Sequence, residues 1–345
     1  MITKTPLQAV ALALALAGTA GLAEAKTLSY SEYGPEHSSL GPNLKIFAED
    51  VARATDGALK VQMTFGGALI AVRDVLRGVG DGVADMGSIV AVMTPSELFN
   101  FRVGDLPIGN SDPWVGMSVM QELAATNDTI KGEFAAQNVK LIANFTTTEV
   151  VLICSKPVAS LDDLKGLKIR SNPPHSLALK AFGAIPVSMG FPEVYQALDR
   201  GLITCAQTYV TAIMPYRHFE VAKHVLRLDF GQNLAFGAII NQQTFDKLDA
   251  SQQAALLEAG RSLSLNGAKT NVETLKNARD TLENDYGVEF HSLSQEDHAR
   301  LMEAGGITLD SFLAKGDPAV LDQFRALQAK YTAEFEANGY PWDAK

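Results

Sequence analysis

The strongest constraint on this chain is an alternation of two hydrophobic periods. Strand-like segments with every second residue apolar give way to helical segments with apolar residues three and four apart. Thr27–Tyr33 reads as an opening strand, and Pro42–Thr55 as a helix with Leu44, Phe47, Ala48 and Val51 on one face. Leu59–Phe65 alternates as a half-buried strand, Ala71–Val79 is a short helix, and Ala84–Val92 returns as an apolar strand. Such βαβα order predicts a mainly parallel sheet covered by helices.

The alternation then recurs without repeating the sequence. Val115–Gln137 is helical, and Lys140–Phe145 and Val150–Ser155 are strands. Lys168–Arg170 is a short strand between a helical turn at Leu161–Leu164 and a helix at Pro173–Phe182. A helix at Glu193–Arg200 and strands at Val225–Leu228 and Phe236–Asn241 follow. Thr244–Tyr286 is helix-rich with an interruption at Gly267, and a last helix covers Pro318–Ala337. A length of 345 residues is too much for one ordinary core and suits two domains. No low-complexity linker separates them, so the chain is expected to cross between two lobes several times.

The first residues read as an export signal. Lys4 supplies a positive start, Ala9–Leu16 an apolar run too short to span a bilayer, and Ala23–Ala25 the small residues of a cleavage site. The expectation is a periplasmic protein cut after Ala25. Two cysteines remain, Cys154 and Cys205, both in apolar strand-like stretches. An oxidising compartment permits a bridge, but the reading favours two buried free thiols.

Charge and motifs exclude several classes. A formal net charge of −10 without a basic block argues against nucleic acid. The six histidines are scattered, with neither HExxH nor CxxC spacing, so no metal is expected. Gly78–Gly82 is glycine-rich but follows a helix, which suits a helix stop and not a phosphate cradle. No GxSxG elbow is present, and no enzyme activity or cofactor is expected.

The informative stretch is Leu161–Ser188. Arg170 ends a strand just before Asn172-Pro173-Pro174 opens a helix. A guanidinium there can grip a carboxylate with two parallel hydrogen bonds, helped by helix N-terminal amides. The local alternative is a surface arginine paired with Asp162 or Asp163.

KGLKIR (165–170), followed by GAIPVSMGFPEVYQALDRGLI (183–203), resembles the DctP-like solute receptors of TRAP (tripartite ATP-independent periplasmic) transporters. Ala84-Asp85-Met86 and Asp105-Leu106-Pro107 fit the same pattern. The resemblance spans nearly the whole chain after the signal. It implies an α/β, two-lobed periplasmic-binding-protein-like fold, with a ligand cleft between lobes and a long bridging helix. The expected division is residues 26–147 plus 236–275 in the first lobe and 148–235 plus 276–345 in the second. It implies a receptor for a small organic acid that hands its cargo to TRAP membrane subunits, and the protein is expected to be a monomer.

Within that resemblance Arg170 corresponds to the carboxylate clamp. Glu149 stands where many members carry a second arginine, and could accept hydrogen bonds from substrate or pair with Arg170. Thr208 falls at a ligand-facing asparagine, with Tyr209 beside it. Val90 replaces a position that is acidic in sugar-acid receptors, and Phe65 and Phe191 fall where aromatics line the pocket. Asn172 and Tyr33 complete the expected site. One arginine among apolar and aromatic groups favours a monocarboxylate with an apolar, aromatic or hydroxylated body. A C4-dicarboxylate or sugar-acid receptor is the alternative, and a periplasmic enzyme or sensory receptor the alternatives from other classes.

Overall fold

Two separate sheets account for the two alternating blocks of sequence. The computed structural model describes residues 25–107 and 112–343; apart from Ala25, the expected signal peptide lies outside them. In chain order the strands are β1 (Lys26–Ser31), β2 (Leu59–Thr64), β3 (Met86–Val90), β4 (Val139–Phe145), β5 (Val150–Cys154), β6 (Lys168–Arg170), β7 (Ile185–Val187), β8 (Cys205–Tyr209), β9 (His224–Arg227), β10 (Phe236–Asn241) and β11 (Glu289–Ser292). The first sheet has the order β2-β1-β3-β10-β4, the second β11-β9-β5-β8-β6-β7.

Neither sheet is purely parallel. β10 runs antiparallel to β3 and β4, and β5 runs antiparallel to β8 and β9. These reversals come from the crossings: the chain leaves the first sheet through β4 into β5 and returns from β9 into β10. The two crossing segments are tied together. Asn233 N–H donates to Thr147 Oγ1 at 3.1 Å, the Thr147 hydroxyl donates to the Asn233 carbonyl at 3.1 Å, and Val150 N–H donates to the Gly231 carbonyl at 3.0 Å.

A third crossing is the helix Ala250–Asn284. Asp249 caps it, accepting from the amides of Ser251 and Gln252, while the Gln252 side chain returns to the Asp249 amide. Leu256, Ala259 and Leu263 join the first-lobe core, and Ala278 and Leu282 join the second-lobe core. The expected interruption at Gly267 does not occur. A glycine costs a helix about 1 kcal/mol, and tertiary packing on both sides outweighs that here. Nothing lies within 4 Å of where a Gly267 Cβ would stand, and this residue borders the cavity between the lobes.

The helix Gln295–Leu313 was not anticipated, because Gly305-Gly306 sits in its middle. A Cβ at Gly305 would meet the Phe230 ring at 2.9 Å, so glycine permits the close approach of this helix to the second lobe. The sequence division places 276–345 with the second lobe, yet the last helix, Pro318–Asn338, packs on the first. Val320, Leu321, Phe324 and Leu327 share a core with Trp114, Val115 and Leu123.

Cys154 and Cys205 form a disulfide, which corrects the expectation of free thiols. The cause is register: β5 pairs antiparallel with β8 so that these two residues stand directly opposite.

Candidate functional site

Arg170 is the last residue of β6, held between β7 and β8 with Val187 and Ala206 as its register partners. Its side chain turns inward, leaving the residue 7% exposed. Nε donates to the Met189 carbonyl at 3.3 Å and one terminal nitrogen to the Gln207 carbonyl at 3.2 Å. No carboxylate pairs with it among the described residues. Asp162 is paired with Arg300, and Asp163 caps the amides of Ala159 and Ser160, which disposes of the surface-pairing alternative. Burial holds the Arg170 guanidinium below its usual proton affinity. It nevertheless keeps its charge, because arginine stays protonated in proteins. A buried cation whose hydrogen bonds reach only two carbonyls is an incomplete arrangement.

The cavity facing Arg170 has a volume of about 140 Å³ and is bordered by both lobes. From the second lobe come Asn172, Phe191, Tyr209 and Tyr216; from the first come Glu32, Tyr33, Val90 and Phe236. Arg170 lies 5.3 Å from the Phe191 ring centre. Phe191 in turn stacks on Tyr209 at 6.0 Å and meets Tyr216 edge-on at 4.6 Å. Asn233, on a crossing segment, donates to the Tyr209 hydroxyl at 2.6 Å, which leaves the Tyr209 hydrogen free to point at a guest. Two buried histidines support this wall. His175 binds Asn172 Oδ1 at 2.9 Å, and burial pushes its pKa down to about 3; burial and the nearby Arg170 push His218 to about 3 as well. Both are therefore neutral, so Arg170 is the only cationic residue bordering the cavity among those described.

The opposite wall holds an acid that sequence reasoning passed over. Glu32 follows the end of β1 and is 1% exposed. Its Oε1 accepts from Gly34 N–H at 2.6 Å, and its Oε2 accepts from the Ser88 hydroxyl, which also contacts Tyr30 Oη at 2.7 Å. Burial lifts its pKa to about 7 against the pull of these donors. The signal lay beside Tyr33 in SYSEYG, but an acid one residue past a strand end is usually a solvated turn. Only the partner strand carrying Ser88 marks this one as buried.

Six of the nine expected residues meet at the cavity: Arg170, Asn172, Phe191, Tyr209, Tyr33 and Val90. Three do not border it. Glu149 forks onto Arg227 at 2.9 and 3.0 Å, so it does not pair with Arg170. Thr208 alternates with Gln207 and Tyr209 along β8, so its side chain faces the other side of the sheet, where it is buried. Phe65 packs against the first-lobe core around Leu44 and Phe47.

Comparisons with known proteins show the family. Residues 30–315 match the model of the bacterial extracellular solute-binding protein family 7, DctP. A solute-binding protein of Verminephrobacter eiseniae is 27% identical over 85% of this chain and 87% of its own. The C4-dicarboxylate-binding periplasmic protein DctP of Rhodobacter capsulatus is 26% identical over 84% and 87%. Among solved structures, DctP7 of Bordetella pertussis, an extracytoplasmic solute receptor binding pyroglutamic acid, superposes with a TM-score of 0.80 at 23% identity, covering 88% of this chain and 100% of that one. Family members are periplasmic receptors that bind small organic acids and work with TRAP membrane subunits. The chain belongs to the DctP family of extracellular solute-binding proteins, and is a transport receptor and not an enzyme.

Proposed function

We propose that this receptor captures a small monocarboxylate with a compact ring or apolar body, holding the acid group on Arg170. The observation that carries this reading is the buried guanidinium with no carboxylate partner among the described residues, facing a cavity of about 140 Å³. A cavity of roughly 150 Å³ accepts a guest the size of benzene, so one ring with one acid group suits the space. The body would lie against Phe191 and Tyr209, and an N–H or O–H of the guest would meet Glu32. Pyroglutamic acid, the ligand of the Bordetella receptor, has this outline: a small ring, one carboxylate and an amide N–H.

A C4-dicarboxylate fits less well. Its second carboxylate would find no second cation on the cavity wall among the described residues and would face Glu32. A sugar acid brings several hydroxyls, each costing about 1–3 kcal/mol if buried unpaired. Capture and closure follow one logic: a guest that touches Arg170 on one lobe and Glu32, Tyr33 and Val90 on the other favours the state in which both contacts exist. The closed outline is then what the membrane subunits recognise.

A thermal-shift panel tests the ligand class, since binding to the folded state alone raises the melting temperature. Pyroglutamate and other cyclic monocarboxylates should raise Tm by several degrees, and succinate, malate and glucuronate should not. A shift confined to the dicarboxylates or the uronate would refute the proposed class.

A further inference from the structure

We propose that His224, Glu289 and His291 form a transition-metal site of the zinc class at the edge of the second sheet. β11 pairs parallel with β9, with Glu289 opposite His224 and His291 opposite Leu226. Phe290 packs into the core beside Val225. Strand alternation therefore puts Glu289 and His291 on the other face, the face His224 also occupies. One potential ligand atom from each residue lies within 4.8 Å of the other two. His224 Nδ1 is 3.1 Å from Glu289 Oε2, and His291 Nε2 is 3.7 Å from the same oxygen. Tetrahedral zinc with bonds near 2.0–2.1 Å requires ligand separations of about 3.4 Å, so these two values straddle the requirement.

His291 Nε2 is itself buried and has no hydrogen-bond partner. The competing cation is engaged elsewhere: Lys223 Nζ donates to the Tyr286 carbonyl at 2.6 Å. Two imidazoles and one carboxylate match the ligand preferences of zinc and its neighbours over magnesium or calcium. A fourth position stays open for water. None of the three residues borders the ligand cavity. The bound ion would clamp β11, a four-residue edge strand joined in the sheet only to β9, just after the bridging helix ends at Asn284. In sequence the histidines stand 67 residues apart (291 minus 224), so no spacing motif announces them.

The test is calorimetric titration of zinc chloride into the purified protein without a histidine tag, repeated with magnesium chloride. The wild type should take up one equivalent of zinc and none of magnesium. His291→Ala and His224→Ala should each weaken zinc binding at least tenfold, while His298→Ala leaves it unchanged. Glu289→Gln, at an exposed position, supplies a variant whose folding is not in question and should also lose affinity. Cobalt(II) should give the visible absorption of a tetrahedral site in wild type and lose it in these variants. Uptake well below one equivalent in wild type, or wild-type affinity in the His224, Glu289 and His291 variants, overturns the proposal.

Discussion

The two lobes present opposite charges to one cavity, and they hold them by different means. The first lobe carries buried carboxyls. Glu32 is held by Ser88 and Gly34, with burial lifting it to about 7, and Asp105 accepts from the amides of Leu234 and Ala235, with burial lifting it to about 6. Such groups can shed their cost by taking up a proton. The second lobe carries Arg170, which has no neutral form to retreat to at ordinary pH. It is held by two carbonyls, near neutral histidines, in a sheet cross-linked at Cys154–Cys205. The lesson is a division of labour. Under the proposed function, the lobe with the permanent charge would take the anion, and the lobe with the titratable acid would adjust to the rest of the guest.

The largest expected break in this comparison is Arg170→Ala. Two hydrogen bonds to charge at about 1.5–3 kcal/mol each put the loss of carboxylate affinity at roughly 100-fold or more by calorimetry. The unliganded protein should melt no lower than wild type, because a buried unpaired charge is gone. Affinity within threefold of wild type would dissolve the contrast between the lobes.

Next in size is the double variant Cys154→Ala/Cys205→Ala. The bridge closes a loop between residues separated by 51 positions, and the chain-entropy model gives about 4 kcal/mol for a loop of that length, an upper figure for stability in urea. Ligand affinity should stay within a few-fold, since neither cysteine borders the cavity. A parallel collapse of affinity would show that the bridge positions Arg170 and does not merely stabilise its lobe.

The smallest effect sharpens the first-lobe side. With Glu32 lifted from 4.5 to about 7, the folded protein keeps a proton that the unfolded chain has shed over that interval. Unliganded stability should therefore fall as pH rises through the window, by up to about 1.4 kcal/mol per pH unit. Glu32→Gln should flatten that slope above pH 6, leaving the contribution of Asp105 between 3.8 and about 6. An unchanged slope in melting temperature against pH would remove Glu32 as the tunable group.

Much of this site was legible in the residues, and the reasons differ between them. Arg170 announced itself because a cation ending an apolar strand before a proline-opened helix is a local pattern, and KGLKIR repeats it across a family. Phe191 followed from its place in the stretch after KGLKIR, and Tyr209 only as the neighbour of Thr208. Glu149 misled because a position within a motif does not say which neighbour a side chain meets. Arg227, on the adjacent strand, claimed it. Thr208 misled by one residue, and in a strand one residue is the difference between the two faces of the sheet.

The sequence by itself determined most of the elements, the two-block organisation and the place of Arg170 at a strand end, because hydrophobic period, turn chemistry and capping act over a few residues. Only the tertiary structure decided which distant polar groups converge. Ser88 reaches Glu32, Cys205 meets Cys154, and His224 comes beside Glu289 through sheet order and strand register. Those are settled by the packing of whole elements against each other, which no short window of residues contains.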